Sequence, residues 1–535
     1  MKLLMRAKRI IACALVPALF CAFLFSCTLM GSARKGDCNK DDRINAIDSN
    51  YLARLVLGEN VIVSAEGADL NSDNNRGDAD LSLLRQYHAG TFRPGSRFSK
   101  IFVNGIDISN YVVIIPEKAT DFEKWTAEIL SDSIKELSGK GPQVLSDKEP
   151  ERPCEILIGE TKRRESREIP KTDDGYAIFA RGSKIVMGGE NYLVAAGAGY
   201  MISALESLTV EWNLDAHIDV PRQAKKMTVE WREGENVIFF IGDGMGFNHT
   251  KMATDPDCRI KYSDGTVAVP EEAGIDIFWP ATFEHAGDST TLNIFDSTTD
   301  SAAGATALAT GYKTSNGALG MIPADLDGDG KEDEFRTVQN VREAATLAGK
   351  ATAVVSTDRQ SGGTPNAFLV HHYTRTEKKL ILEQQKALDS TRLDCTYLWC
   401  SYDSDDVFKN FKKAIDECDD NPGGFFIMTE EAMIDKYAEK MDFENVIRTV
   451  KRLNKMTAYA ATYAMCHTDT VVVLTADHET GGLTPDLDGA WYWSSDGEHT
   501  GTNVPVFAMG YGTEYFDSST RDNTDIARFL FDTVR

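Results

Sequence analysis

Asn236–Gly246 reads NVIFFIGDGMG. The run from Val237 to Ile241 is apolar without interruption, which suits a central parallel strand buried on both faces and not the alternation of a half-exposed one. The glycines beyond it permit a tight turn. Asp243 then stands at the carboxyl end of the strand, where open α/β sheets gather their ligands. Thr470–Gly482, TVVVLTADHETGG, repeats the design with Asp477 and His478 in that place. Two buried strands ending on metal-ligating residue types predict an α/β domain, with a mostly parallel central sheet flanked by helices and a site along one edge.

Between these strands lies Asn293–Gly311, NIFDSTTDSAAGATALATG. Turn-forming residues give way to Ala, Gly, Thr and Leu, so the spacing puts Ser301 where a loop becomes a helix. Unpaired N–H groups and the positive end of the helix dipole favour an anion there. Taken alone, Asp300 and Ser301 read as a helix cap. The ligand-bearing strand ends on either side turn the reading towards a nucleophile.

At 535 residues the chain has room for two to four domains. A net charge of −25 excludes a surface built to bind nucleic-acid backbone. Lys2, Arg6, Lys8 and Arg9 precede an apolar run from Ile10 to Phe25, which marks residues 1–26 as a secretory signal. Leu24–Cys27, LFSC, resembles the bacterial lipoprotein signal and implies a lipid anchor to the membrane on Cys27, followed by a linker over 27–35. Phe25 is unusual in that signal, so ordinary cleavage is the alternative. With Cys13 and Cys21 removed and Cys27 lipidated, seven of the ten cysteines remain, an odd number without a metal-type CxxC; Cys395 and Cys400 are near enough in sequence to close a small loop.

Residues 36–90 contain two echoing segments, GDCNKDDRINAIDSNYLARLVLG and ADLNSDNNRGDADLSLLRQYHAG. Oxygen-bearing side chains recur at loop positions one, three, five and twelve: Asp37, Asn39, Asp41 and Asp48, then Asp69, Asn71, Asp73 and Asp80. This spacing wraps one hard cation, Ca2+, and an apolar helical pattern follows each loop. The duplication resembles a dockerin, which implies a small all-α calcium-binding module and a cohesin-bearing scaffold protein as partner. The pairs Ala46–Ile47 and Asp78–Ala79, and Arg76, depart from that family's usual residues.

Residues 91–230 read as a small α/β domain. IFVNGIDI, YVVIIP, CEILIG, GYAIFA and KIVMGG have strand patterns, while Thr120–Leu137 and Tyr192–Leu208 have helical ones. The arrangement resembles the small α/β domain ahead of the catalytic barrel in some glycoside hydrolases. It gathers no catalytic residue types, which favours a structural spacer over a carbohydrate-binding role.

From 234 to 535 the motifs GDGMG, TDSAAGATALATG, TPNAFLVHHYTR, EEAMIDK, TADHETGG and EHTG occur in the order used by alkaline phosphatases, which this region resembles. The resemblance implies a phosphomonoesterase acting through a phosphoserine at Ser301. It implies two divalent metals, zinc in the family: one held by Asp243, Asp477 and His478 and binding the Ser301 oxygen, the other held by Asp435, Glu439 and His499. It further implies Mg2+ on Asp243, Thr364 and Glu430, phosphate gripped by Arg375, and a water-mediated phosphate contact from Lys436. A homodimer is left open.

Departures from the family pattern fall at three places. Relatives carry histidine where this chain has Glu439. Glu439 shares a helix face with Asp435 and either coordinates through oxygen, which would harden the site and disfavour zinc, or stands as a solvated helix residue; coordination is preferred. Gly362, two residues before Thr364, replaces the Asp or His often found there. Glu431 beside Glu430 leaves a one-residue ambiguity, while His371 and His372 read as packing residues and not ligands. Pro323–Glu334, PADLDGDGKEDE, has Asp325, Asp327 and Asp329 at calcium-loop spacing but Arg336 at position twelve, so an acidic surface loop is at least as good a reading. No C/SxPxR motif of the sulfatase kind is present. The rivals are a phosphodiesterase or sulfatase of related architecture, and a surface assembly protein impaired through Glu439.

Overall fold

The computed structural model describes residues 98–535, apart from 172–173, 209–213, 273, 327–328, 391–395, 420, 422 and 518. The export signal, Cys27, the repeated calcium loops and Cys395 therefore lie outside the described residues. The chain divides into two compact units, Met1–Pro94 and Gly95–Arg535, and the second is described here. Among the described residues no helix is long and apolar enough to cross a membrane.

The fold is α/β, with a large mixed sheet flanked by helices. Its eight strands run in the order Thr396–Cys400, Ala351–Ser356, Phe425–Glu431, Asn236–Gly242, Thr470–Thr475, Val504–Met509, His285–Thr290 and Thr520–Asp522. Only Val504–Met509 runs against the others. Asn236–Gly242, Phe425–Glu431 and Thr470–Thr475 are adjacent and buried along their whole lengths, which explains their near-continuous apolar sequences. The carboxyl ends of the parallel strands lie along one edge. The reversed strand brings the segment before Val504, and with it His499, to the same edge.

A second sheet of five strands runs Gln143–Ser146, Val112–Ile115, Glu155–Ile158, Lys184–Gly189 and Tyr176–Arg181, the last antiparallel. Helix Asp121–Ser138 begins at a reciprocal cap between Thr120 and Glu123, each side chain taking the other's backbone N–H, and ends at Gly139 in a left-handed conformation. Two readings need correction. The stretch 101–108 is not one strand: Phe98–Val103 turns at Asn104 and Gly105, both with positive φ, and returns as Ile106–Asp107, as a two-residue Asn–Gly turn dictates. The helix over 192–208 is a 3-10 turn, Asn191–Ala195, followed by an α-helix, Ala196–Glu206.

The two sheets share a layer. Helix Phe443–Cys466, buried at nineteen of its twenty-four positions, packs on both the large sheet and the helices of the smaller one. Aromatic rings fill the joint: Phe122 meets Trp279 edge-on at 4.8 Å, and Trp125 meets Tyr459 at 5.3 Å. The Tyr192 hydroxyl donates to the Thr282 carbonyl across the same joint at 2.8 Å.

Candidate active site

Helix Ser301–Thr310 begins at Asp300, whose carboxylate accepts the backbone N–H of Ala303 at 3.0 Å. Asp300 is thus the cap, which frees the Ser301 hydroxyl for other work. Ser301 is 2% exposed, and its Oγ lies 3.4 Å from His478 Nε2. A helix of such small residues can lie close to the strand end: a Cβ on Gly304 would sit 2.7 Å from the Asp477 carbonyl oxygen.

Two groups of metal-ligating atoms converge beside the serine, Asp243–Asp477–His478 and Asp435–His478–His499, each within 4.8 Å. His478 Nε2 is 3.4 Å from Asp243 Oδ1 and 3.4 Å from Asp477 Oδ2. Its other nitrogen, Nδ1, is 3.2 Å from the Thr480 hydroxyl, which spends its own proton on Asp435 Oδ1 at 2.6 Å. Nδ1 must therefore be the donor, leaving the Nε2 lone pair aimed into the carboxylate group, the tautomer a metal needs. His499 donates Nδ1–H to the Thr299 carbonyl at 3.0 Å, which leaves Nε2, 3.3 Å from Asp435 Oδ1, as the nitrogen that can face a cation once its proton is given up. The two imidazoles stack at 3.7 Å.

Burial decides the electrostatics. It pushes the Asp243 carboxyl up to about 7, with Asp435 adding repulsion, and raises Asp477 and Glu430 through burial and the Asp243 charge. His478 is pushed down to about 3 by burial and by His499. Burial pushes His499 down as well, but is outweighed by the bond to Asp435, which lifts it to about 9. Against its own desolvation, Asp435 is held well below the usual carboxylate range by His499 and by Lys436, whose Nζ donates to it at 3.0 Å.

Buried carboxylates without hydrogen-bond partners are costly unless a cation compensates them. Asp243 Oδ1, Asp477 Oδ2, Glu430 Oε1 and Thr364 Oγ1 are all buried without such a bond. This oxygen-rich, two-histidine donor set fits divalent cations.

The neighbouring acids on strand Phe425–Glu431 point to opposite faces. Glu431 is saturated: Arg452 grips both of its oxygens at 2.6 and 2.8 Å, and the Thr357 hydroxyl and Met433 N–H add further bonds. Glu430 faces Asp243 and takes a bond from Ser356, with one oxygen unpartnered. Arg375 reaches Asp300 Oδ2 with Nη1 at 3.3 Å and is anchored by its backbone N–H on the Gly317 carbonyl.

Glu439 is the outlier. Its Oε1 is 3.9 Å from His499 Nε2, its side chain is 46% exposed, and it belongs to neither converging group. His371 bridges Glu343 and the Gly320 carbonyl, and His372 faces the Thr374 carbonyl, so both work as packing residues. Asp325 and Asp329 sit at the tip of a hairpin formed by Met321–Ala324 and Glu334–Thr337, and Asp327 lies outside the described residues. Thr480, Arg452 and Ser356, which bond Asp435, Glu431 and Glu430, were missed by the motif reading. Thr480 lies within TADHETGG and was within reach of it, whereas Arg452 sits twenty-one residues from its acid and left no local signal.

Residues 234–403 and 407–496 match the alkaline phosphatase family, and residues 35–87 match the dockerin type I domain. The chain is 27% identical over 353 residues to alkaline phosphatase 3 of Bacillus subtilis (strain 168), covering 56% of this chain and 71% of that protein. To alkaline phosphatase 4 of the same organism it is 26% identical over 361 residues, covering 57% and 74%. Among solved structures, alkaline phosphatase from the Antarctic bacterium TAB5 aligns over 57% of this chain and 99% of its own at 22% identity, with a TM-score of 0.46.

Proposed function

We propose that this chain, which carries an alkaline phosphatase family domain and a dockerin type I domain, hydrolyses phosphate monoesters through a phosphoserine at Ser301. The observation that supports this most is the position of Ser301 Oγ, at a helix start and 3.4 Å from a histidine shared by two converging ligand groups. Asp243, Asp477 and His478 would hold one divalent cation, and Asp435 and His499 another with Glu439 at its margin; zinc suits the histidine-bearing groups. Bound cations would supply the positive charge that makes a serine oxygen nucleophilic and stabilises a departing alkoxide.

The rest falls to the chain's own groups. Ser301 Oγ forms the bond to phosphorus as the ester C–O–P oxygen leaves with the alcohol, and water then cleaves the phosphoserine to release inorganic phosphate. The amide end of helix Ser301–Thr310 faces the phosphoryl oxygens, and Arg375 swings its planar fork from Asp300 onto two of them. Lys436 balances the buried charge of Asp435. Thr480 and the Thr299 carbonyl keep both imidazoles in the ligating tautomer. The dockerin domain suits calcium and a cohesin partner, and export with a lipid on Cys27 completes the reading from the sequence.

Assays with p-nitrophenyl phosphate, its bis-ester and p-nitrophenyl sulfate side by side test the substrate class, and the monoester is expected to be preferred. Ser301→Ala is expected to lower monoester turnover by roughly 10^4-fold or more with an unchanged circular dichroism spectrum. Turnover close to wild type in that variant would refute the phosphoserine route.

A further inference from the structure

The helix that carries Asp435 and Lys436, Met433–Ala438, has six residues, and Ala432 before it has no side chain to cap it. So short a helix has too few internal hydrogen bonds to hold its own place. Its start is held by other groups. The Ala432 N–H donates to the Thr357 hydroxyl at 2.8 Å, and the Met433 N–H donates to Glu431 Oε1 at 3.1 Å. The Thr357 hydroxyl in turn donates to the same Glu431 oxygen at 2.9 Å. Glu431 is fully buried, and its charge is met by the equally enclosed Arg452, from Nε at 2.6 Å and Nη2 at 2.8 Å.

The far end is held by the same arginine. Tyr437 donates its hydroxyl proton to Asp403, whose carboxylate also accepts from Arg448 Nη2 at 3.0 Å and Arg452 Nη2 at 3.3 Å. Arg448 and Arg452, four residues apart, stand on one face of helix Phe443–Cys466. Asp403 sits in a left-handed turn, φ 44°, and its N–H donates to the Thr357 carbonyl at 3.0 Å. Thr357 thus serves both ends of the short helix, and the Arg452 guanidinium spans them, meeting Glu431 on one side and Asp403 on the other. Little slack is left beneath. The Asp435 N–H donates to the Asp243 carbonyl at 2.9 Å, and a Cβ on Gly244 would lie 2.8 Å from Asp435 Cα. A shift at either end of the helix therefore carries the Asp435 carboxylate with it, away from Thr480 and His499.

We infer that Arg452 is a positioning residue for the Asp435 side of the site: through Glu431 and Asp403 it clamps helix Met433–Ala438 at both ends onto helix Phe443–Cys466, and so fixes Asp435 where it can hold a cation. The inference rests on the metal-dependent reading above and gives its less enclosed ligand group an anchor. Lysine cannot replace Arg452 in this work, because an ammonium lacks the planar fork that meets two acids at once.

The test is the Zn2+ affinity of the full-length protein, measured by competition with a chromophoric chelator with Ca2+ present throughout. Arg452→Lys and Tyr437→Phe break the clamp from its two ends. Each should weaken one zinc equivalent by about tenfold, the usual effect of losing a group that holds a ligand from behind, and leave the other within about twofold. Excess Zn2+ should then return kcat for p-nitrophenyl phosphate to near wild type. In an Asp435→Asn background, the zinc that remains should not respond to Arg452→Lys. An arginine needed for stability alone would lower the Tm and leave zinc affinity unchanged. Unchanged zinc affinity in either folded variant, equal weakening of both equivalents, or a response of the remaining zinc in Asp435→Asn would each overturn the assignment. A wild type that binds two zinc ions, one of them sensitive to Arg452→Lys, but hydrolyses no monoester would refute the functional reading and leave the clamp standing. A wild type that binds no zinc would refute both.

Discussion

The two ligand groups around Ser301 share His478 but are built differently. Asp243, Asp477 and His478 sit at the ends of adjacent central strands, each at most 1% exposed, so their positions follow from the register of the sheet. The other group draws Asp435 from the short helix Met433–Ala438 and His499 from a two-stranded ribbon, and its outer flank opens to solvent at Glu439. The side made by the sheet is held in place by strand pairing. The side made by a helix turn and a loop ends instead on the half-exposed Glu439.

This contrast is open to direct attack. Asp477→Asn, on the buried side, is expected to cut monoester turnover by roughly 10^3-fold and to release zinc, as metal analysis of the same preparation would show. Glu439→Gln, on the open side, should cost about tenfold or less, while Glu439→His should shift the metal giving highest activity towards zinc. If Glu439→Gln proves as damaging as Asp477→Asn, the two sides are equivalent and the contrast fails.

A smaller effect concerns the metal-free protein. The folded Asp243 carboxyl is raised from the ordinary value of 3.8 to about 7, so the folded state binds that proton more tightly than the unfolded chain does. Its contribution to stability is complete below about pH 4, is lost as the pH climbs towards 7, and is then level. Thermal unfolding of chelator-treated protein should show a Tm several degrees lower at pH 7.5 than at pH 5, with a shallower decline in Asp243→Asn and none of this component once metal is restored.

What could be read from the sequence follows the same division. The strands before Asp243 and Asp477 announce themselves because burial on both faces requires unbroken apolar runs. Ser301 was placed correctly at a helix start, but which residue caps that helix depended on Asp300 meeting the Ala303 N–H. The choice between Glu430 and Glu431 could not be made locally, since an arginine on the next long helix neutralises one of them. In the smaller sheet, Gln143–Ser146 has too few apolar residues to stand out, and it pairs through its backbone alongside Val112–Ile115.

Helix Phe443–Cys466 sets the size of the piece that can be moved between proteins. With one flank against the eight-stranded sheet and the other against Trp125, Tyr192 and their neighbours, a fragment starting at Gly234 would present a broad greasy scar to water. The transplantable cassette is therefore Gly95–Arg535 in one piece, and a chimaera that exchanges the N-terminal unit should be joined near Pro94.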